Sequence, residues 1–204
     1  MVAMYVPAHF AATDADVESL LGSMTAIDLI STGTDGLVAT FLPMLYDAGT
    51  GSLVGHVARN NPHWRCTGPG TLAIVRGPDA YVSPSWYPSK AEHGRVVPTW
   101  NYLTAHVYGR LVAHDDVGWL RSLVTRLTDH HEAAAGSGWQ VDDAPSAFID
   151  GQLRAIVGVE LVIDRIEAKS KLSQNRSEAD RAGVVDGLGA SSPVGGLMTV
   201  NNLP

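Results

Sequence analysis

The chain has 204 residues, 45% hydrophobic and 17% charged, and its 14 Lys and Arg against 21 Asp and Glu give a formal net charge of -7. This length suits one domain with a proper core, no run of about 18 apolar residues is present to span a bilayer, and the negative balance disfavours a nucleic-acid partner. "MVAMYVPAHF" lacks the basic start and apolar core of a signal peptide, and the single Cys66 cannot form an intramolecular disulfide, so a cytoplasmic home is expected.

In chain order, "TDADVESLLGSM" offers Thr13 as N-cap, acids in the first turn and Val17, Leu20 and Leu21 on one stripe, which predicts a helix over 14–24. "AIDLIST" and "LVATFL" are β-rich runs around a hairpin signal at Asp35-Gly36, "DAGTG" turns the chain into "SLVGHV", and an "RGPDA" turn is expected between "TLAIV" and "AYV". Short strands in succession describe an antiparallel meander, and closure into a small barrel removes its exposed edges. From Tyr102 the alternation is clearest, with Leu103, Ala105, Val107, Gly109 and Leu111 predicted to face the core. A helix is expected over 116–132, a loop through "AAAGSGWQVDDAPS", a buried strand beginning near Ala155 and a short capped helix at "SEADRAGVVDGL". The span "RIEAKSKLSQNRSEADR", with Arg165, Lys169, Lys171, Arg176 and Arg181, reads as a solvated helix face or as a basic anion anchor. The Gly-, Ser- and Pro-rich end from 189 to 204 is expected to be a flexible tail.

Residues 80–102, "AYVSPSWYPSKAEHGRVVPTWNY", match neither helix nor linker. Prolines push Ser83, Tyr87 and Val97 toward extended geometry, so this is a rigid excursion rich in aromatic rings. Trp86, Tyr87 and Trp100 offer flat faces, and Ser83, Ser85, Ser89 and Thr99 offer directional polar groups, a combination suited to a planar cofactor or to a small core under a long loop. Lys90 or "KSKLSQNR" could hold a phosphate tail. "GHVARNNPHWR" gathers His56, Arg59, Asn60, Asn61, His63, Trp64 and Arg65, where imidazole could ligate metal or heme iron and Arg could clamp a phosphate, or the group could simply hold a turn together. "DHHE" at 129–132 reads as a helix end more than a metal cluster, and Cys66 as a core residue. No nucleophile elbow, Walker loop or zinc quartet is present.

Seven blocks together resemble the PaiB family of FMN-binding negative transcriptional regulators, which belong to the split-barrel flavoproteins: "MYVPAHF" at 4–10, "GHVARNNPHWR" at 55–65, "AYVSPSWY" at 80–87, "VPTWNY" at 97–102, "HVYG" at 106–109, "IVGVEL" at 156–161 and "KLSQNR" at 171–176. Met4 matches the family's start. The resemblance implies a mainly β fold with peripheral helices, a six-stranded antiparallel FMN-binding split barrel over residues 1–188, assembled as a homodimer with flavin at the subunit interface. It implies FMN as cofactor, with Trp86, Tyr87, Trp100 and Asn101 near the ring system and Lys171, Ser173, Gln174, Asn175 and Arg176 as polar anchors. His56, Arg59, Asn60, Ser83, Ser85, Lys90 and Thr99 complete the candidate site. The activity implied is that of a flavin-dependent reductase or a flavin-linked regulator acting on a small molecule. A related branch, the heme-dependent piperazate synthases, suggests heme b with His56 as axial ligand. A DNA-binding repressor is the third reading, although no helix-turn-helix is evident and the chain is acidic.

Overall fold

The computed structural model describes residues 3–200. Six antiparallel strands close into a ring in the order β1-β2-β3-β6-β5-β4. Their spans are β1 Ala26–Gly33, β2 Gly36–Asp47, β3 Ser52–Ala58, β4 Gly68–Val82, β5 Thr99–His114 and β6 Ile156–Lys171. The helices are α1 Asp14–Ser23, α2 Ser89–His93, α3 Val117–Ala135, α4 Ser146–Arg154, α5 Glu178–Leu188 and α6 Pro193–Val200. The expected mainly β barrel with helices around it is what the chain forms.

The β1-β2 hairpin closes through Thr34 and Asp35, pairing Gly33 with Gly36, and Gly36 takes a φ of 118° that only glycine accepts without strain. On β5 the predicted alternation holds, with Leu103, Ala105, Val107 and Leu111 all buried. Gly109 sits in the same row because a Cβ there would lie 2.1 Å from Val162 O. Asp116 caps α3, accepting from Trp119 N, and Ser177 caps α5, accepting from Asp180 N.

Three expectations are corrected. No turn separates "TLAIV" from "AYV": β4 runs unbroken through Gly77-Pro78, and Gly77 admits the close approach of Leu103, whose carbonyl oxygen would sit 3.1 Å from an added Cβ. The charged span from Arg165 to Lys171 is the end of β6 rather than a helix face, because Arg165, Glu167, Lys169 and Lys171 follow a period of two. The expected tail from 189 instead carries α6, whose Val194 and Met198 are buried with Val82, Tyr87, Leu172 and Val184; residues 201–204 lie outside the described residues. Between the expected loop and the last strand, α4 forms because Ile149 and Leu153 bury against Leu120 and Val141.

Two compact units emerge. One comprises residues up to Leu20, Arg76–Ala105 and the chain from Glu167 onward; the other comprises Leu21–Val75 and His106–Ile166. Strands β4, β5 and β6 each pass from one into the other.

Candidate functional site

The Leu21–Val75 and His106–Ile166 unit holds His56, Arg59 and Asn60. His56 on β3 pairs in register with Gly158 on β6, and Gly158 must be glycine because the Trp119 ring fills its side-chain space, 2.1 Å from an added Cβ. Burial lowers the His56 pKa, and its Nδ1 is buried without a hydrogen-bond partner. The Arg59 guanidinium is engaged within the chain: Nε donates to Arg154 O, and the two terminal nitrogens donate to the Asp115 carboxylate and to Ile156 O. Asn60 is exposed. His63 is fully buried, with Nδ1 2.8 Å from Thr40 Oγ1 and Nε2 2.9 Å from Ser31 Oγ, which is itself 2.8 Å from Thr71 Oγ1. This network ties a turn to β1 and β2. Trp119 stacks on His114 at 4.0 Å, and His114 Nε2 meets Glu160 Oε2 at 2.7 Å.

Every other nominated residue falls in the unit that comprises Arg76–Ala105 and the chain from Glu167 onward. The end of β6 sends Lys169 and Lys171 out on the same side, two residues apart. Lys171 Nζ donates to Thr99 Oγ1 and to Trp100 O at 2.5 Å each, so the start of β5 grips it through neutral oxygens. Burial lowers the Lys171 pKa, and the charges of Lys169 and Arg176 lower it further. Lys169 Nζ donates to Tyr5 O and lies 5.5–5.9 Å from the ring centres of Tyr5, Phe10 and Tyr102; Lys171 lies 5.8 Å from Phe10 and 6.0 Å from Tyr102. The N-terminal segment reaches this place through the bridge of Ala11 with Lys169.

Aromatic surface lies beside these cations. Trp100 is 52% exposed and Tyr81 48% exposed, and their rings meet edge to face at 6.3 Å. Tyr87 is buried, its hydroxyl without a hydrogen-bond partner, under the Arg176 guanidinium 4.8 Å from its ring centre. Trp86 is less available than expected, because α5 covers it: a Cβ on Gly187 would come 2.3 Å from its indole, and one on Gly183 2.1 Å from its carbonyl oxygen. Ser83 caps the turn at Ser85 N, and Ser85 Oγ accepts from Lys90 Nζ at 3.2 Å. Ser89 donates through N and Oγ to Asp180; burial opposes ionisation there, but these bonds, Ser177 and the nearby Arg176 hold the carboxyl below its ordinary range.

Asn101 is 0% exposed and Ser173 3% exposed, and their side chains bond each other. Gln174 serves its own loop, accepting from Leu172 N and donating to Ser170 O, while Asn175 is exposed. Lys169 belongs to the basic stretch singled out in the sequence, whereas Tyr5, Phe10 and Tyr81 join the cluster without having been nominated, because only the fold brings the N-terminal segment and β4 to this place.

The family described as "Putative FMN-binding domain" matches residues 4–165. The chain belongs to this FMN-binding family. A curated relative, the "Protease synthase and sporulation protein PAI 2" of Bacillus subtilis, is 30% identical over 194 residues, covering 91% of this chain and 89% of its own. The PaiB resemblance read from the seven blocks is thereby borne out. An uncharacterised protein of Emericella nidulans is 30% identical over 186 residues, 74% of each chain. Among solved structures, a conserved hypothetical protein from Mycobacterium tuberculosis superposes with a TM-score of 0.60 at 12% identity, over 86% of this chain and 95% of its own. The FAD and heme binding protein from Mycobacterium smegmatis gives 0.55 at 18% identity, over 83% of this chain and 77% of its own. These two share the fold of this chain, a split barrel. The basic cluster at Lys169, Lys171 and Arg176 lies beyond the matched family residues.

Proposed function

We propose that this FMN-binding split-barrel protein holds the FMN phosphate at Lys169, Lys171 and Arg176, lays the ring system against Trp100 and Tyr81, and works as a flavin-dependent reductase. One observation carries the reading: Lys171 is a partly buried ammonium whose direct partners are neutral oxygens and whose charged neighbours are two more cations. Gathering like charges out of water is unfavourable until an anion joins them, and a phosphate supplies both the charge and several acceptor oxygens. The donor set therefore fits FMN. Thr99 and Trp100 aim the Lys171 ammonium, and the exposed Trp100 face offers a flat apolar wall. Bound FMN supplies hydride or single-electron chemistry, and the chain's part is to bind, orient and shield it.

A homodimer belongs to the same proposal. Leu37, Ala39, Phe41 and Pro43 alternate along β2 as an exposed apolar row, with Leu37 79% and Phe41 72% exposed. A row of this kind suits a second copy of the chain.

The test is a flavin titration followed by fluorescence. Wild-type protein should prefer FMN over riboflavin, and Lys171→Gln should erase most of that preference while leaving riboflavin affinity in place. An unchanged preference would remove the phosphate from Lys171. Oxidation of a nicotinamide by the FMN-loaded protein, above that of free FMN, is the expected activity; its absence in a protein that binds FMN would turn the reading toward a flavin-linked regulator.

A further inference from the structure

The turn after β6 is built in an unusual way. Ser173 has a φ of 65° and is the one non-glycine residue with positive φ among the described residues. Serine gains nothing intrinsic from that conformation, so the surroundings must hold it there. They do so through a closed pair: Asn101 Nδ2 donates to Ser173 Oγ at 3.0 Å, and Ser173 Oγ is 3.1 Å from Asn101 Oδ1, with both residues buried. A second contact backs the pair, since Asn101 Nδ2 also reaches the thioether of Met198 on α6 at 3.4 Å. Arg176 N donates to Ser173 O, closing the turn, while Gln174 pins Leu172 N and Ser170 O.

This latch lies in the chain between two of the three cations of the proposed phosphate site, Lys171 and Arg176. Lys171 precedes Ser173 by two residues and Arg176 follows it by three. Asn101 is the neighbour of Trp100, whose carbonyl receives Lys171. The αL backbone at Ser173 sets the direction in which the chain leaves β6, and with it where the Arg176 guanidinium stands relative to the Lys171 ammonium.

We propose that Asn101 and Ser173 are positioning residues for anion selectivity: their buried latch, braced by Met198 of α6, fixes the αL turn that brings Lys171 and Arg176 onto one phosphate. The inference rests on the phosphate reading given above and adds which groups shape the site without touching the ligand. It also gives α6 a role, because the helix supplies both the thioether and the Val194 and Met198 packing behind the turn.

The experiment compares FMN and riboflavin dissociation constants for Ser173→Ala, Ser173→Gly, Asn101→Leu and the control Lys171→Gln, with thermal unfolding to identify folded variants. Ser173→Ala removes the hydroxyl and disfavours positive φ; FMN affinity should fall about tenfold while riboflavin affinity stays within twofold. Ser173→Gly keeps the backbone conformation accessible and should recover part of that loss. Asn101→Leu should match Ser173→Ala. A general loss of structure would weaken both flavins alike, so a parallel fall in the two affinities would overturn the proposal. If Lys171→Gln loses the FMN preference but folded Ser173→Ala and Asn101→Leu keep it, the latch is not a positioning device and the phosphate reading stands. If Lys171→Gln keeps the preference, the phosphate reading fails and this inference falls with it.

Discussion

Gly187→Ala would reveal how tightly the aromatic excursion is tied to α5. An added Cβ would lie 2.3, 2.4 and 2.6 Å from Trp86 Cδ2, Cγ and Cε2. Carbon atoms settle near 3.5–4.0 Å, so the indole would have to retreat by about 1 Å. It has little room to do so: the Trp86 carbonyl oxygen sits where a Gly183 Cβ would be, at 2.1 Å, and Pro88 Cδ closes the same place at 3.1 Å. Overpacking of this kind costs about 1–3 kcal/mol, and the better helix propensity of alanine returns about 1 kcal/mol. The net loss, up to about 2 kcal/mol, corresponds to a Tm lower by up to about 8 °C for a chain of this size. Thermal unfolding by circular dichroism measures it. Gly22→Ala on α1 is the control, since nothing lies within 4 Å of its would-be Cβ, and it should hold or raise the Tm. A rise in Tm for Gly187→Ala comparable to that of Gly22→Ala would refute the packing argument.

Burial lowers the His63 pKa from its ordinary value of 6.5, so its contribution to stability is fully present above pH 6.5 and is lost as the pH falls toward the depressed folded value. Urea midpoints at pH 7.5 and 5.5 should therefore differ more for wild type than for His63→Gln, with His56 adding to the residual slope in the same direction; equal slopes would contradict a neutral buried imidazole. For the proposed dimer through the β2 face, Phe41→Asp should sediment as a monomer in analytical ultracentrifugation where wild type sediments as a dimer, with a Tm no higher than wild type because dissociation removes the stabilisation that a partner gives the folded state; an unchanged sedimentation coefficient would contradict an interface on this row.

Much of the barrel was legible because its strands bury one side only. Leu103, Ala105, Val107 and Leu111 carry the inward row of β5 in plain alternation, and Thr34-Asp35-Gly36 announces its hairpin. The β6 end was harder: Arg165, Glu167, Lys169 and Lys171 are all polar, and charges two apart within a run of helix formers are ambiguous until a partner strand is known. Gly77-Pro78 reads as a turn on local grounds, and close approach of Leu103 overrides it. The stretch from 189 looks like a tail because its glycines and serines outnumber its anchors, yet Val194 and Met198 suffice to seat α6. At the site, residue types pointed to a basic stretch and aromatic rings, and the structure sets Lys171 beside the rings of Phe10 and Tyr102. Residue types alone do not show that Asn101 bonds Ser173 or that Arg59 pairs with Asp115, because those partners are distant in sequence.

The most direct measurement follows the Lys171 ammonium itself, in protein carrying isotope-labelled lysine, with the resonance assigned through Lys171→Arg. Burial, Lys169 and Arg176 hold its pKa below the ordinary value of 10.5 in the unliganded protein. A phosphate beside it favours the charged form, so saturation with FMN should raise that pKa, riboflavin should leave it in place, and FMN affinity should weaken as the pH climbs through the unliganded value. An unchanged Lys171 titration in protein saturated with FMN would contradict the phosphate site.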